Sequence, residues 1–255
     1  MITIASQHSD LPGLMNLSLA PTVPIQARSL YAPVYEELRR MILDGVLPPG
    51  GRIEEEIFCK AFHISRTPLR EALHRLDHDG LATILPRRGA FVSDFSKAEI
   101  LELLELREAL EGFAARLASE RADVSTIERL RKLVEPAGLK NLSVHEPKRL
   151  ADTDRQFHEL IYEATGNRQL IDTSRRINDQ VHLVRLTTTL LSDRRTESSK
   201  ELVRIAAAII ARKGDEAERL AREHVLGAIA AVQSSFPDGA KLSSIARRIA
   251  TVEGN

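Results

Sequence analysis

Pro68 constrains this chain more than any other residue. Proline has no N–H and a fixed φ, so a helix accepts it only in the first turn. In Ser65-Arg66-Thr67-Pro68-Leu69-Arg70-Glu71-Ala72-Leu73-His74-Arg75-Leu76 that requirement places a helix start at Ser65. The Ser65 hydroxyl oxygen can cap it by accepting a bond from a free backbone N–H. Leu69, Leu73 and Leu76 recur at i, i+4 and i+7 and define a buried face. Arg66, Thr67 and Arg70 are left at the exposed N-terminal end. Two guanidinium groups and a hydroxyl on a short helix suit a DNA major groove, where arginine pairs bidentately with guanine O6 and N7.

The flanking residues supply the rest of such a head. A helix starting near Pro33 carries the stripe Val34, Leu38, Met41 and Ile42 and stops at Asp44-Gly45. Leu47 to Gly51 reads as a rigid turn, and a second short helix runs from Glu54 to Phe62. Asp79-Gly80 closes the third helix. Leu81 to Leu85 and Ala90 to Val92 read as two strands around the tip Pro86-Arg87-Arg88-Gly89, where glycine permits close backbone approach. Three helices and a basic hairpin make a winged helix-turn-helix. Residues 1–28, with Pro12, Gly13, Pro21 and Pro24 and no periodicity, read as a disordered arm.

Beyond Asp94 only helical periodicity remains. Ser96-Lys97-Ala98-Glu99 is a capping box opening a helix to Ser119, with Ile100, Leu103, Leu104, Leu110, Ala114 and Leu117 inward. Further helices are expected over 123–135, 147–165, 168–191, 196–213 and 215–236, and a short helix or fraying end over Leu242 to Ile249. The expected architecture is mainly α: an arm (1–28), a winged helix-turn-helix DNA-binding domain (29–94), an all-α helical bundle for effector binding and dimerisation (95–238) and a C-terminal tail (239–255).

Charge is not the argument for DNA. The net charge is zero, and residues 28–94 hold ten Lys/Arg and ten Asp/Glu, so Glu54, Glu55 and Glu56 must be kept from phosphate. Cys59, the single cysteine, allows no intrachain disulfide and fits a reducing cytoplasm as a small residue buried in the second helix. No basic stretch followed by an apolar core argues for a secretory signal. No apolar run reaches the roughly 18 residues of a membrane span, so no membrane partner is expected.

Within the bundle, Asp154 and His158 lie at i and i+4 on one helical face, continued by Ile161, and His224 shares a stripe with Leu220 and Ala228. One carboxylate and two imidazoles on inward faces suit a divalent metal such as Zn²⁺, Ni²⁺ or Mn²⁺. Hydrogen bonding within a metal-free core is the alternative. Arg107 on an apolar stripe needs a partner, either Glu111 at i+4 or an anionic effector, and Arg185 poses the same choice. His182 shares a polar stripe with Asn178 and Arg185 and is a candidate at the effector pocket or its rim. Asn167, after Gly166, is an effector candidate or simply a helix-end residue. Arginines beside a metal favour a small carboxylate or sugar-acid effector.

The pattern Tyr35-x2-Leu38-Arg39-x2-Ile42-Leu43-x-Gly45-x-Leu47-x-Pro49-Gly50, then Ile64 to Leu73, Arg75-Leu76-x3-Gly80-Leu81 and Arg88-Gly89-x-Phe91-Val92, resembles the GntR family of bacterial transcription regulators. The body resembles the FadR-type effector domain (FCD) through Arg107-x2-Leu110-Glu111, Asp154-x2-Phe157-His158, Gly166-Asn167 and Arg222-Glu223-His224. The resemblance implies a homodimeric repressor or activator that binds a palindromic operator and responds to a small molecule. It implies base contacts from Arg66 and Arg70, phosphate contacts from Ser65 and Thr67, and a wing, Arg88-Gly89, near the minor groove. Glu56 stands where some members carry a further DNA-contacting arginine. It also implies a dimer seam near Ile100 to Leu117. Aligning Glu201-Leu202 with the Glu-His of many FadR-type bodies puts Leu202 in place of a fourth metal ligand. Three protein ligands can still hold a metal with water or an effector oxygen, and the same loss also fits a lapsed site.

Two other readings compete with a regulator. One is a metal-dependent bundle enzyme using Asp154, His158 and His224 around an activated water, although Glu159 points about 100° away from His158. The other is a ligand-binding scaffold whose head meets protein.

Overall fold

Punctuation by glycine and proline sets the head's elements. In the computed structural model, which describes residues 31–134, 147–188 and 194–253, α1 spans Tyr31–Leu43 and gives way to the turn at Gly45 (φ 74°). A two-residue strand β1 (Arg52–Ile53) precedes α2 (Glu55–Phe62). His63 closes α2 in a left-handed conformation (φ 54°), and Ser65 then enters α3 (Arg66–His78) with an extended backbone. Leu69, Leu73 and Leu76 are buried, as their spacing requires, with Val34, Leu38 and Ile42 of α1. Cys59 is half-buried against this core.

Strands β2 (Ala82–Leu85) and β3 (Gly89–Val92) pair antiparallel from Ala82↔Val92 to Leu85↔Gly89. β1 adds to the other side of β3 through Arg52↔Phe91 and Ile53↔Ala90, giving the order β1-β3-β2. The sequence reading anticipated two strands; a two-residue strand is too short for alternation to show. The Ser65 hydroxyl makes no capping bond, so α3 starts on backbone geometry and Pro68 alone.

The body starts with α4 (Lys97–Arg121). Its capping box forms: Glu99 N donates to Ser96 Oγ at 3.4 Å, and Ser96 N donates to Glu99 Oε2 at 2.7 Å. There follow α5 (Val124–Val134), α6 (Pro147–Ala164), α7 (Arg168–Thr188), α8 (Arg195–Ile210) and α9 (Gly214–Ser235). Gly112 of α4 meets the Arg222 side chain, and Gly214 meets Ser119, so α9 runs back antiparallel along α4. One core gathers residues of α4, α5, α6, α8 and α9, and another lies between α4, α7, α9 and the last helix.

That last helix, α10 (Leu242–Glu253), is longer than the segment to Ile249 expected from sequence and is anchored. Leu242 and Ile245 are buried. Ser243 donates to Asp94 through its backbone N at 2.8 Å and its hydroxyl at 2.7 Å, clasping α10 to the end of the head. The arm expected over 1–28 and the last residues of the helix expected to reach 191 lie outside the described residues.

Candidate functional site

α3 presents Ser65, Arg66, Thr67 and Arg70 as exposed side chains, because Leu69 and its partners hold the opposite face in the core. Arg66 extends beside Glu56, which Lys60 engages at 2.7 Å. Arg70 Nε donates to Glu55 Oε2 at 2.9 Å, and Arg52 pairs with Glu54 at 3.2 Å. Each of the three consecutive acids therefore has a cation of its own, which reconciles them with a DNA-facing surface. At the wing, Arg87 (φ 62°) and Gly89 (φ 96°) turn the chain tightly. Arg87 and Arg88 are exposed, and the Arg88 guanidinium sits 5.8 Å from the centre of the Phe91 ring.

The second cluster is buried in the body. α4 contributes Arg107 and Glu111 one turn apart, both almost fully enclosed. Arg107 Nε donates to Glu111 Oε1 at 2.5 Å, so of the two partners open to Arg107 the structure supplies Glu111. His158 of α6 places Nδ1 at 2.9 Å from the same Glu111 oxygen. His224 of α9 places Nδ1 at 2.8 Å from Glu201 Oε2 of α8, which is also held by Arg194 at 2.7 Å. The two imidazole rings lie 5.5 Å apart and are tilted by 30°.

The nearer carboxylate lies at Nδ1 of both rings, 2.9 Å for His158 and 2.8 Å for His224, while Asp154 stands 3.4 Å from His158 Nε2. A carboxylate beside each Nδ1 favours the proton there, leaving Nε2 with a lone pair. Burial holds both imidazoles below their usual pKa, His224 down to about 4, which keeps them neutral. Burial pushes the Glu111 carboxyl up, but Arg107 and His158 outweigh it and hold the group ionised, below the usual carboxylate range. Glu111 Oε2, His158 Nε2 and His224 Nε2 are then buried acceptors without hydrogen-bond partners. Ligand atoms of these three residues lie within 4.8 Å of one another. Buried polar atoms without partners are uncommon. One carboxylate oxygen and two imidazole nitrogens in that state form a donor set that fits a divalent cation.

The other sequence candidates fall elsewhere around this cluster. Asp154 forms an ion pair with Arg185 and lies 3.4 Å from His158 Nε2. The grouping found in the structure is Glu111, His158 and His224, with Asp154 beside it. Glu111 was read from sequence only as a partner for Arg107; its place one turn along a buried stripe was the signal for more. His182 faces the head, with Nε2 at 3.1 Å from the Leu43 carbonyl oxygen. Asn167 caps α7: its Oδ1 accepts from Leu170 N at 3.3 Å. Leu202 is buried in the apolar core, three residues before Ile205, which lines a small cavity with Glu111, His158 and Tyr162.

A winged helix-turn-helix joined to a helical bundle with a buried polar cluster is the build of a transcription regulator that carries its own sensing domain. Residues 30–92 match the family described as "Bacterial regulatory proteins, gntR family", and residues 102–227 match the FCD domain. The chain belongs to the GntR family of bacterial regulators, in its FCD-containing branch. It is similar to the "Uncharacterized HTH-type transcriptional regulator YdhC" of Bacillus subtilis, at 30% identity over 77% of this chain and 86% of that one. It is 29% identical to the "HTH-type transcriptional repressor RspR" of Escherichia coli over 81% of this chain and 88% of that one. Among solved structures, E. coli McbR/YncC shares the fold, with a TM-score of 0.70 and 21% identity over 83% of this chain and all of that one. The enzyme and protein-scaffold readings give way to a transcription regulator. No described helix is long and apolar enough to cross a membrane.

Proposed function

We propose that this chain is a cytoplasmic, homodimeric repressor whose affinity for a palindromic operator is set by a small carboxylate or sugar acid bound at a metal in the FCD body. Similarity to a relative named as a repressor supports that direction of control. Arg66 and Arg70 read bases, Ser65 and Thr67 hold phosphate, and Arg88-Gly89 approach the minor groove. The free Ser65 hydroxyl and the exposed Arg66 support these roles.

The observation that carries the metal reading is the convergence of three unpartnered buried acceptors, Glu111 Oε2, His158 Nε2 and His224 Nε2. These residues would hold a Zn²⁺, Ni²⁺ or Mn²⁺ ion, with Asp154 adjacent. The ion would supply a Lewis-acidic position for an effector oxygen. Arg107, Arg185 and Arg194 already face Glu111, Asp154 and Glu201. An incoming carboxylate is therefore recognised first by the metal and second by guanidinium groups that exchange partners. Protein purified without chelator or an affinity-tag metal is expected to carry about one metal per chain, lost in His158→Ala, as in three-ligand protein sites. Elemental analysis of the two proteins checks this, and metal-free protein that stays so after dialysis against Zn²⁺, Ni²⁺ or Mn²⁺ would overturn it.

The dimer has a physical basis on α4. Leu103, Leu106, Leu110, Phe113 and Leu117 are spaced by alternating steps of three and four, a heptad stripe. Leu106 and Phe113 are 52% and 46% exposed, large for apolar side chains one heptad apart. Replacing both with glutamate is expected to yield monomers by sedimentation velocity while the helical signal stays intact. Dimers of undiminished affinity would place the seam elsewhere.

A further inference from the structure

α7 is buried on two opposite faces that serve different halves of the molecule. Ile177, Val181 and Val184 pack with α4 and α9, and Arg185 pairs with Asp154 beside the His158–His224 cluster. The other face grips the head. Leu183 enters the head core, Gln180 Nε2 donates to the Asp79 carbonyl at 2.9 Å, and His182 meets the Leu43 carbonyl oxygen. Asp179 receives a bidentate bond from Arg39 of α1, Nε to Oδ2 at 2.6 Å and Nη2 to Oδ1 at 2.5 Å. The Asp179 side chain is 3% exposed and that of Arg39 17%. Helical geometry puts Arg185 about 9 Å along the axis from Asp179.

We propose that the Arg39–Asp179 pair is a positioning pair that couples the body cavity to the orientation of the DNA-binding head, with α7 as the lever between Arg185 and Asp179. The inference rests on the body cavity being the sensing site. A contact between hydrocarbon surfaces can slide by fractions of an ångström. A buried bidentate pair cannot: it is made in good geometry or leaves buried charge unmatched. The joint therefore has discrete states, the property a switch requires. Any event that draws Arg185 off Asp154, or moves Asp154 as its neighbour His158 takes a ligand, displaces a rigid helix whose far face holds α1. α1 packs directly on α3, so the displacement reaches the recognition helix through the head core.

The test is a double-mutant cycle with the full chain, in EDTA throughout: wild type, Asp154→Asn, Asp179→Asn and the double variant. The probe is a duplex selected by the wild-type protein from a random pool, read by fluorescence anisotropy. Asp154→Asn is expected to change operator Kd about ten-fold in the wild-type background and less than about two-fold in the Asp179→Asn background, within the range of allosteric couplings. Hydrogen exchange supplies a DNA-independent readout: Asp154→Asn should raise exchange at Leu38 to Leu43 only where Asp179 is present. If Asp179→Asn fails to fold, Arg39→Gln with Asp179→Asn takes its place, since that pair leaves no lone charge. Equal shifts in both backgrounds, or no shift in either readout from Asp154→Asn, overturns the proposal. With chelator present, an absent metal leaves these outcomes unchanged, so failure of the joint and failure of the metal reading are separate results.

Discussion

Alanine at both Arg66 and Arg70 is expected to weaken operator binding by about a thousand-fold or more while the fold is kept. Each bidentate arginine–guanine contact discriminates by about 1–3 kcal/mol, and the proposed dimer would lose four of them. Neither side chain supports the core: both are exposed, and the buried face of α3 belongs to Leu69, Leu73 and Leu76. The single variants should differ. Arg70 is held by Glu55 and, in the proposed role, would exchange that carboxylate for a base, whereas no such bond holds Arg66 among the described residues. Arg66→Ala should therefore be the more damaging. Anisotropy titrations at one fixed salt concentration check both claims, because phosphate contacts alone make affinity salt-dependent. Near-wild-type affinity of the double variant would remove α3 as the reading helix.

The largest effect on stability is expected from Glu111→Ala, about 3–5 kcal/mol, the range for removing one partner of a buried ion pair. Arg107 would be left almost fully enclosed without its carboxylate, and His158 would lose the acceptor at Nδ1. Much of that loss should return in Arg107→Met with Glu111→Leu, because a well-packed apolar pair avoids desolvating either charge. Urea melts of the three proteins in chelator separate this from any metal contribution. A Glu111→Ala protein as stable as wild type would mean that Arg107 reaches water or another acceptor.

The head was legible because its boundaries are written in residues with one conformational meaning. Pro68 permits one helix start, and Gly45 and Gly80 take the positive φ that ends α1 and α3. The capping box at Ser96 and Glu99 was equally local. The body's polar cluster was half legible. Helical spacing brought Asp154 and His158 together, but the grouping of Glu111, His158 and His224 depends on how α4, α6 and α9 meet, and no single-helix pattern records that. The setting of His182, against Leu43 in a cleft lined also by Arg39 and Asp152, was hidden for a related reason. A polar residue on an apolar helix suggests a pocket, yet α7 has two buried faces, and the one holding His182 belongs to the head. Strand β1 escaped because Arg52 and Ile53 alone form it.

The clasp between Ser243 and Asp94 joins residues 149 positions apart. Its consequence is one of timing. As the chain emerges during synthesis, most of the head core, from Val34 to Val92, is present well before α7 supplies Leu183 and longer still before α10 supplies Ser243. Domains generally form in the order they leave the ribosome. The head is thus assembled early and aimed late: its setting on the body is completed only when α10, the last of the described helices, is in place. A nascent or shortened chain can own a formed recognition helix without the geometry that makes it answer to the body.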